Sequence, residues 1–519
     1  MPHRRLFILG LAVASTLTAA AFGQPVYTTT PQWQSSDMQV STGAALVDLN
    51  RDGWLDLVIS NGNDISLQRV VVYYNNGSGT LQATPGWQSA TTAYHGHLDV
   101  ADVNGDGWPD VAVAILLAQG GTSAKLYLNN SGTLSANPVW TASVSGDSFG
   151  IAFGDMNADG RPDLAVASGE AYTNVPKINA VYLNTGGTLA SSPSWQTPTP
   201  RNFGNCLWLD ADRDGQLDLA YAGTNTDSFI FRNLGSSLES VPSWRTNDSR
   251  FQFGLMFAYG DVNGDSFPDL LLADNNQIAQ GSGRFRQYSG LSTTFFNPVA
   301  TWTYADGFTS AVTLGDINDD GRLDLVTGEW FGRARYFLNT GTGTGFGVLP
   351  SWTSSGNTTT VEKLVLGDLN NSAIKVYEQI FANNSRRLLQ LARQPVERIV
   401  AISADGVELT PAQYTCCREL GWISIGVDAA TVRVAYVGSR SLDLAVSNWD
   451  DNRPNQVYLN QRTPPCRADF NEDGTVDFFD YLDFVDALAV QAWSADFNID
   501  GVVDFFDYLD FVDSLSRGC

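Results

Sequence analysis

The segment VDLNRDGWLDLVIS, residues 47–60, decides the fold. It places oxygen-bearing side chains at alternate positions, Asp48, Asn50 and Asp52, followed by Gly53, Asp56 and an apolar run. Small oxygen ligands at loop positions 1, 3, 5 and 9, with a backbone carbonyl at 7, can converge on one hard cation, and glycine at 6 permits the sharp turn. Related segments start at Asp102 (DVNGDGWPDVAVA), Asp155 (DMNADGRPDLAVA), Asp210 (DADRDGQLDLAYA), Asp261 (DVNGDSFPDLLLA) and Asp316 (DINDDGRLDLVTG). A seventh starts at Asp368 and breaks after Asn371. Successive starts lie 51 to 55 residues apart.

Two further markers share this period. A tryptophan precedes each acidic run: Trp33, Trp87, Trp140, Trp195, Trp244, Trp302 and Trp352. An aromatic-Leu-Asn or similar triplet follows most of them, at Tyr73, Tyr127, Tyr182, Phe337 and Tyr458. Each unit therefore reads as four short strands: one into the acidic loop, one out of it, one ending at the aromatic, and one carrying the tryptophan. Four strands in about 50 residues, repeated seven times, predict a mainly β chain built as a seven-bladed β-propeller. A linear solenoid is the alternative, with shorter repeats and caps. The chain starts on a Trp strand and ends the repeats on Tyr458, so the N-terminal strand is expected to complete the last blade and leave no open edge.

The pattern D-x-[ND]-x-D-G-x-x-D-[LV] on this period resembles FG-GAP (VCBS-type) repeats, as in the integrin α-subunit propeller, over roughly residues 28–460. The resemblance implies a calcium-binding propeller spanning 24–460. Six intact ligand sets follow: Asp48, Asn50, Asp52, Asp56; Asp102, Asn104, Asp106, Asp110; Asp155, Asn157, Asp159, Asp163; Asp210, Asp212, Asp214, Asp218; Asp261, Asn263, Asp265, Asp269; and Asp316, Asn318, Asp320, Asp324. Position 12 holds Ile59, Val113, Val166, Tyr221, Leu272 or Thr327, so these are strand-joining loops and not EF-hands. Metal-free Asx-turns are the alternative for any single loop. Asp212 in place of Asn gives the fourth loop four carboxylates and predicts stronger binding. Ser266 in place of glycine weakens the fifth turn. In the seventh unit Asp443 supplies position 9 only after an inserted β-module, residues 372–440, expected on the loop face. Position 5 there has no evident acid, so that site is expected to be lost or altered.

After a linker at 461–465 come two near-copies, ADFNEDGTVDFFDYLDFVDAL and ADFNIDGVVDFFDYLDFVDSL, 27 residues apart. Here position 12 is acidic. The sets are Asp469, Asn471, Asp473, Asp477, Asp480 and Asp496, Asn498, Asp500, Asp504, Asp507. Phe479, Leu482, Val485, Leu488 and Phe506, Leu509, Val512, Leu515 recur at helical spacing and predict a core stripe on one helix after each loop. Residues 466–519 resemble a type I dockerin, a small α domain of paired EF-hand-type loops. The resemblance implies a cohesin-like partner and puts its recognition pairs at Phe478-Phe479 and Phe505-Phe506; of these Phe478 and Phe505 lie off the stripe and are the expected docking surface, the alternative being that all four are core. Cys466 and Cys519 bracket this segment and can staple its ends; they match the variant of that family with a C-terminal Gly-Cys.

Composition fits this reading. The chain has 519 residues, 55 acidic against 30 basic, a net charge of −25, and its acids are 46 Asp but only 9 Glu. Aspartate serves turns and hard-cation sites, whereas glutamate is the better helix former. The charge argues against nucleic acid and anionic membranes as main partners. Aromatics at 11% and charged residues at 16% argue against disorder and a long coiled coil. Residues 1–23 resemble a signal peptide, with Arg4 and Arg5, an apolar stretch Leu6–Ala14, and Ala21-Phe22-Gly23 before Gln24. No later stretch is long enough to span a bilayer. Export removes two arginines and takes the charge to −27; about eight Ca²⁺, six in the propeller and two in the tail, would bring it near −11. Cys206 is expected as a buried thiol, and the adjacent Cys416 and Cys417 as a possible strained disulfide.

Candidates for chemistry are few. Tyr94, His95 and His97 precede the second loop, and on a strand His95, His97 and Asp99 would share a channel-facing side, as a base or metal site or as polar lining. On the opposite face, loops carry Asn61, Asn63 and Asp64; Glu170 and Tyr172; Asp274 and Asn275; Glu329, Trp330 and Phe331; and Asn448, Trp449 and Asp450, groups able to bind sugar or peptide. The reading that results is a secreted calcium-binding recognition or scaffold protein, with a propeller for a carbohydrate or protein ligand and a tail for attachment. The alternative is an extracellular polysaccharide-degrading enzyme, a lyase or glycoside hydrolase.

Overall fold

Each of the six uninterrupted acidic loops of the repeats joins two antiparallel strands. Ser41–Val47 runs into the first loop and Asp56–Asn61 runs out of it, with Val47 opposite Asp56. Val70–Tyr73 and then Trp87–Gln88 complete a four-stranded sheet. The computed structural model describes residues 25–117, 121–169, 174–248, 252–277, 283–293, 295–305, 307–355, 360–382, 387–450, 452–463 and 466–517. The expected leader, Glu170, Tyr172 and Cys519 lie outside them.

Among the described residues the same order recurs in seven four-stranded units, with inner strands Ser41–Val47, His95–Ala101, Ser148–Gly154, Phe203–Leu209, Gln252–Gly260, Phe308–Gly315 and Val361–Gly367. The fourth and fifth units are also linked edgewise, Thr224 opposite Phe253. In the last unit the outer strand is the N-terminal Trp33–Gln34, with Trp33 opposite Val457. Each inner strand contacts the next, and Val361–Gly367 contacts Ser41–Val47, so the series closes on itself. The architecture is mainly β, with repeated four-stranded sheets consistent with a propeller. Each inner strand slips register near its start, as between Ser41 and Gly43 or Phe203 and Asn205. In the fourth unit glycine stands within that slip because the strands nearly touch there: a Cβ on Gly204 would lie 2.4 Å from the Gly254 carbonyl oxygen.

The sequence markers turn out to be seams between neighbouring sheets. Each tryptophan packs edge-on against the aromatic of the next unit: Trp33 on Tyr73, Trp87 on Tyr127, Trp140 on Tyr182, Trp195 on Phe231, Trp244 on Tyr288, Trp302 on Phe337 and Trp352 on Tyr458. Centroids are 5.0–6.1 Å apart at 67–82°. Such edge-to-face pairs contribute about 0.5–1.5 kcal/mol each beyond area burial. Indole N–H groups add a bond across four seams, for example Trp33 Nε1 to the Leu81 carbonyl at 2.8 Å.

Residues 374–439 form a separate two-sheet module. Ile374–Ala382, Thr431–Ser439, Val396–Ala404 and Val407–Glu408 make one sheet; Leu388–Gln390, Trp422–Ile425 and Tyr414–Cys417 make the other. Leu389, Ile402, Ile423, Val432 and Val434 fill the space between them. The module lies on the acidic-loop face: Ser424 Oγ donates to Asp155 Oδ2 at 2.7 Å, and Arg440 Nε pairs with Asp319 at 2.7 Å. Its segments at 395–397 and 416–419 line the central cavity together with the inner strands. Cys416, Cys417 and Cys206 are free thiols, so no vicinal disulfide forms.

At the C-terminus two helices, α1 (Phe478–Ala489) and α2 (Phe505–Arg517), each follow an acidic loop. Asp477 caps α1 through the Phe479 N–H at 2.7 Å. The expected stripe is rotated. Phe484 and Phe511 stack at 4.0 Å in the core with Phe497, while Phe479 and Phe506 are each 63% exposed, like Phe478 and Phe505. The position-12 carboxylates explain this. Asp480 and Asp507 turn inward to hold loop amides, Asn471 N–H at 3.1 Å and Phe497 N–H at 2.7 Å, and the residues one turn on from them, Phe484 and Phe511, follow them into the core. Cys466 is disulfide-bonded. Glu472 of the first loop pairs with Lys375 and Arg440, and Arg398 donates to the Ile499 carbonyl at 2.8 Å, so this pair of loops rests on the inserted module. No helix among the described residues is long and apolar enough to cross a membrane.

Candidate metal centres

The loop turn is built by its own first aspartate. Asp48 accepts the N–H groups of Asp52 and Gly53 at 3.1 and 3.0 Å, and Asp155 accepts those of Asp159 and Gly160 at 2.9 and 2.7 Å. The tail loops repeat this at Asp469 and Asp496. Position 6 lies in the left-handed region, φ 87° at Gly53 and 83° at Gly160, which is why glycine stands there. Ser266 adopts φ 68° at the same place.

Position 9 is the hub. Asp56, Asp110, Asp163, Asp218, Asp269, Asp324 and Asp443 are all buried at the first residue of an outgoing strand. One oxygen of each accepts a position-2 N–H, at 2.8–3.3 Å. The other accepts the N–H that follows the Tyr-Leu stretch or its counterpart, at 2.7–2.9 Å. Where that residue is asparagine, its side-chain Nδ2 reaches the preceding unit's position-2 carbonyl: Asn75 to Leu369, Asn129 to Leu49, Asn184 to Val103, Asn233 to Met156, Asn339 to Val262 and Asn460 to Ile317, at 2.7–3.0 Å. The fifth unit has Gly290 instead and cannot make the link. Burial pushes Asp56, Asp110 and Asp269 up to about 7 and Asp218 and Asp324 up to about 8, with like charges in the same loop adding to it.

The donor set is all oxygen, as a hard divalent cation requires. In the fourth loop Asp210, Asp212 and Asp218 bring carboxylate oxygens within 4.8 Å of one another. In the first, second, third and sixth loops the position-3 asparagine amide donates to the position-5 carboxylate instead, as with Asn50 to Asp52 at 3.0 Å and Asn104 to Asp106 at 2.8 Å. Asp212 cannot donate, so that loop leaves its carboxylates mutually repelling. The seventh loop keeps the turn although the module interrupts it: Asp368 accepts from Ser372 and Ala373 N–H, and Ser439 Oγ donates to it at 3.0 Å. Hydroxyls replace the missing acid. The inserted module also supplies groups that the loop motif did not reveal, Ser424 on Asp155 and Arg393 at 3.4 Å from Asp316.

The histidines separate. The strand slips register between His95 and Leu98, so their expected common face is broken. His97 and Asp99 line the central cavity, while His95 points its Nδ1 at the Asn61 carbonyl, 2.7 Å away, and is fully buried. Tyr94 is half-buried beside it. His97 accepts from Asn205 Nδ2 at 3.0 Å and packs on Phe149. Burial, with Lys363 adding, lowers His97 to about 3, and burial lowers His95 to about 4. Asp99 is raised to about 6, by burial first and by Glu419 of the module. On the opposite face Asp274 is taken by Arg286 at 2.8 Å and Glu329 by Arg335 at 2.5 Å, so these two acids are structural.

A family profile described as FG-GAP-like repeat matches residues 48–113, 114–166, 210–272 and 261–327. Two solved structures of BBS1N in complex with ARL6DN are similar. The one soaked with lead has a TM-score of 0.44 at 11% identity, covering 66% of this chain and 91% of that one. The one soaked with mercury has 0.47 at 9% identity, covering 84% and 98%.

Two outcomes follow from the loop and strand geometry. Ser266→Gly relieves a left-handed serine and raises stability by about 1 kcal/mol, read as a urea midpoint shift. His97 has a folded pKa below its unfolded value, so its stability contribution is full above about 6.5 and is lost as pH falls toward about 3. The stability difference between the wild type and His97→Gln therefore shrinks by about 1.4 kcal/mol per pH unit below 6.5 in calcium-saturated urea titrations; a pH-independent difference contradicts it. With its loops, sheets and seams in place, the chain carries FG-GAP-like repeats on a propeller-like β architecture.

Proposed function

We propose that this is a secreted recognition or scaffold protein whose seven-bladed propeller is held rigid by calcium. A dockerin-like C-terminal domain attaches it to a cohesin-like protein. The observation that carries the reading is the convergence of Asp210, Asp212 and Asp218 within 4.8 Å, in a loop type that recurs in five further complete copies. Ca²⁺ bound there supplies the positive charge that the buried position-9 carboxylates lack, with Asp48, Asn50, Asp52 and Asp56 and their equivalents as oxygen donors. In the tail, Asp469 to Asp480 and Asp496 to Asp507 form the corresponding sets. The helices that start on those loops expose Phe478, Phe479, Phe505 and Phe506, each 63–65% accessible, as a paired apolar docking surface. Polysaccharide cleavage finds less support, because His95 and His97 are buried and hydrogen-bonded within the fold.

Titration of chelator-treated full-length protein with calcium tests the reading. About eight ions bind per chain, Asp212→Asn removes the tightest class, and the melting temperature rises with occupancy. Because five of the position-9 aspartates sit near pH 7–8, binding at pH 7 releases protons. A melting temperature unchanged by chelator contradicts the calcium account. Calcium-dependent binding to a type I cohesin that survives Phe478→Ala plus Phe505→Ala contradicts the docking surface.

A further inference from the structure

The face opposite the acidic loops has a cavity that the propeller's architecture does not require. It encloses about 210 Å³ and is walled by Phe149, Phe253, Trp330 and Trp449, with Asn63 and Thr224 among its lining residues. The two indoles stack at 5.8 Å and 14°, and Phe253 meets Trp330 edge-on at 6.2 Å. Trp330 is fixed from behind, its Nε1–H donating to Glu362, a carboxyl that burial pushes well above its ordinary value.

Three lining residues keep polar atoms that find no partner among the described residues. Asn63 is 4% exposed, and its Oδ1 accepts the Asp64 N–H at 2.8 Å, yet its Nδ2 has no partner. Thr224 is 1% exposed with an unpartnered hydroxyl, and the Trp449 indole nitrogen is likewise unpaired. Leaving a buried donor unmade costs about 1–3 kcal/mol, and three in one pocket are the pattern of a site awaiting acceptor oxygens. Asn63 also holds φ 44°, in the left-handed region that asparagine adopts more readily than most residues.

We propose that this cavity binds one neutral sugar residue. A sugar ring offers an apolar C–H face to the indole and phenyl walls, and its hydroxyl and ring oxygens accept from Asn63 Nδ2–H, Trp449 Nε1–H and the Thr224 hydroxyl. A peptide aromatic side chain would fill the walls and leave all three groups unpaired. A uronate or sulfated sugar is disfavoured, since among the described residues no lysine or arginine lines the pocket, Asp64 does, and the chain carries −25. The volume falls below the usual drug-sized range of about 300–1,000 Å³, which fits a single ring at a chain end. This inference rests on the recognition reading above and names its ligand class.

The test is titration of the calcium-loaded full chain with methyl glycosides of mannose, galactose, fucose and N-acetylglucosamine, followed by tryptophan fluorescence. Glucuronic acid and phenylalaninamide are the anionic and peptide-like probes. The proposal expects one neutral glycoside to saturate a single site below about 10 mM. Asn63→Gly, which keeps the backbone conformation, and Thr224→Val should each weaken it about 10-fold without lowering the melting temperature in calcium. No saturation by any glycoside, competition by phenylalaninamide, or affinity unchanged in both variants overturns it. Retained calcium-dependent melting alongside absent sugar binding removes the pocket proposal alone; loss of both removes the recognition reading as well.

Discussion

Seven buried aspartates, from Asp56 to Asp443, each hold two backbone N–H groups at the loop end of their own sheet, one from the acidic loop and one from just past the end of the neighbouring strand. The rest of the architecture depends on this clasp. It fixes the loop's start against the strand that ends at the aromatic, and so places the asparagine whose amide crosses to the preceding unit. Burial makes the charged form costly, which the raised carboxyls express. A divalent cation between that carboxylate and its loop neighbours would turn a repulsive cluster into an attractive one. Metal binding and ring integrity are on this account one property of the fold.

The aromatic seams carry the remaining contact between sheets. Trp33, donated by the N-terminus, packs on Tyr73 and pairs through its strand with Val457, so one short segment joins the first and last units. The inserted module covers the loop end of the ring and contributes Glu419 to its central cavity, where it meets Lys363 at 3.0 Å. The opposite end carries Trp330 and Trp449. The division of labour is therefore spatial: acidic loops and module on one side, the aromatic pocket on the other.

Much of this was legible in the residues because repetition multiplies weak signals. One Asp-x-Asn-x-Asp-Gly loop is ambiguous, whereas six on a common period fix strand order and the closing role of Trp33. What a single unit cannot reveal is its neighbour. The markers Trp and Tyr-Leu-Asn were readable, but their function as seams depends on contacts between units about 50 residues apart. The His95–His97–Asp99 alignment failed because alternation assumes an unbroken strand, and the register slips between His95 and Leu98. Phe479 and Phe506 looked like core at helical spacing, yet Asp480 and Asp507 set the inward face and turned both phenylalanines out. The serines whose hydroxyls meet Asp368 in the seventh loop, Ser372 and Ser439, stand at the two ends of the inserted module and could be brought together only by the fold.

The central claim is that the position-9 clasps and the cation sites are one device. Amide hydrogen exchange at Leu49, Asn75, Val103 and Asn129, the N–H groups held by Asp56 and Asp110, measures it directly when compared with and without chelator. These amides should rank among the most protected in calcium and should lose protection on chelation before the strands that carry the tryptophan seams. Protection at these four positions that chelator leaves unchanged would contradict the account.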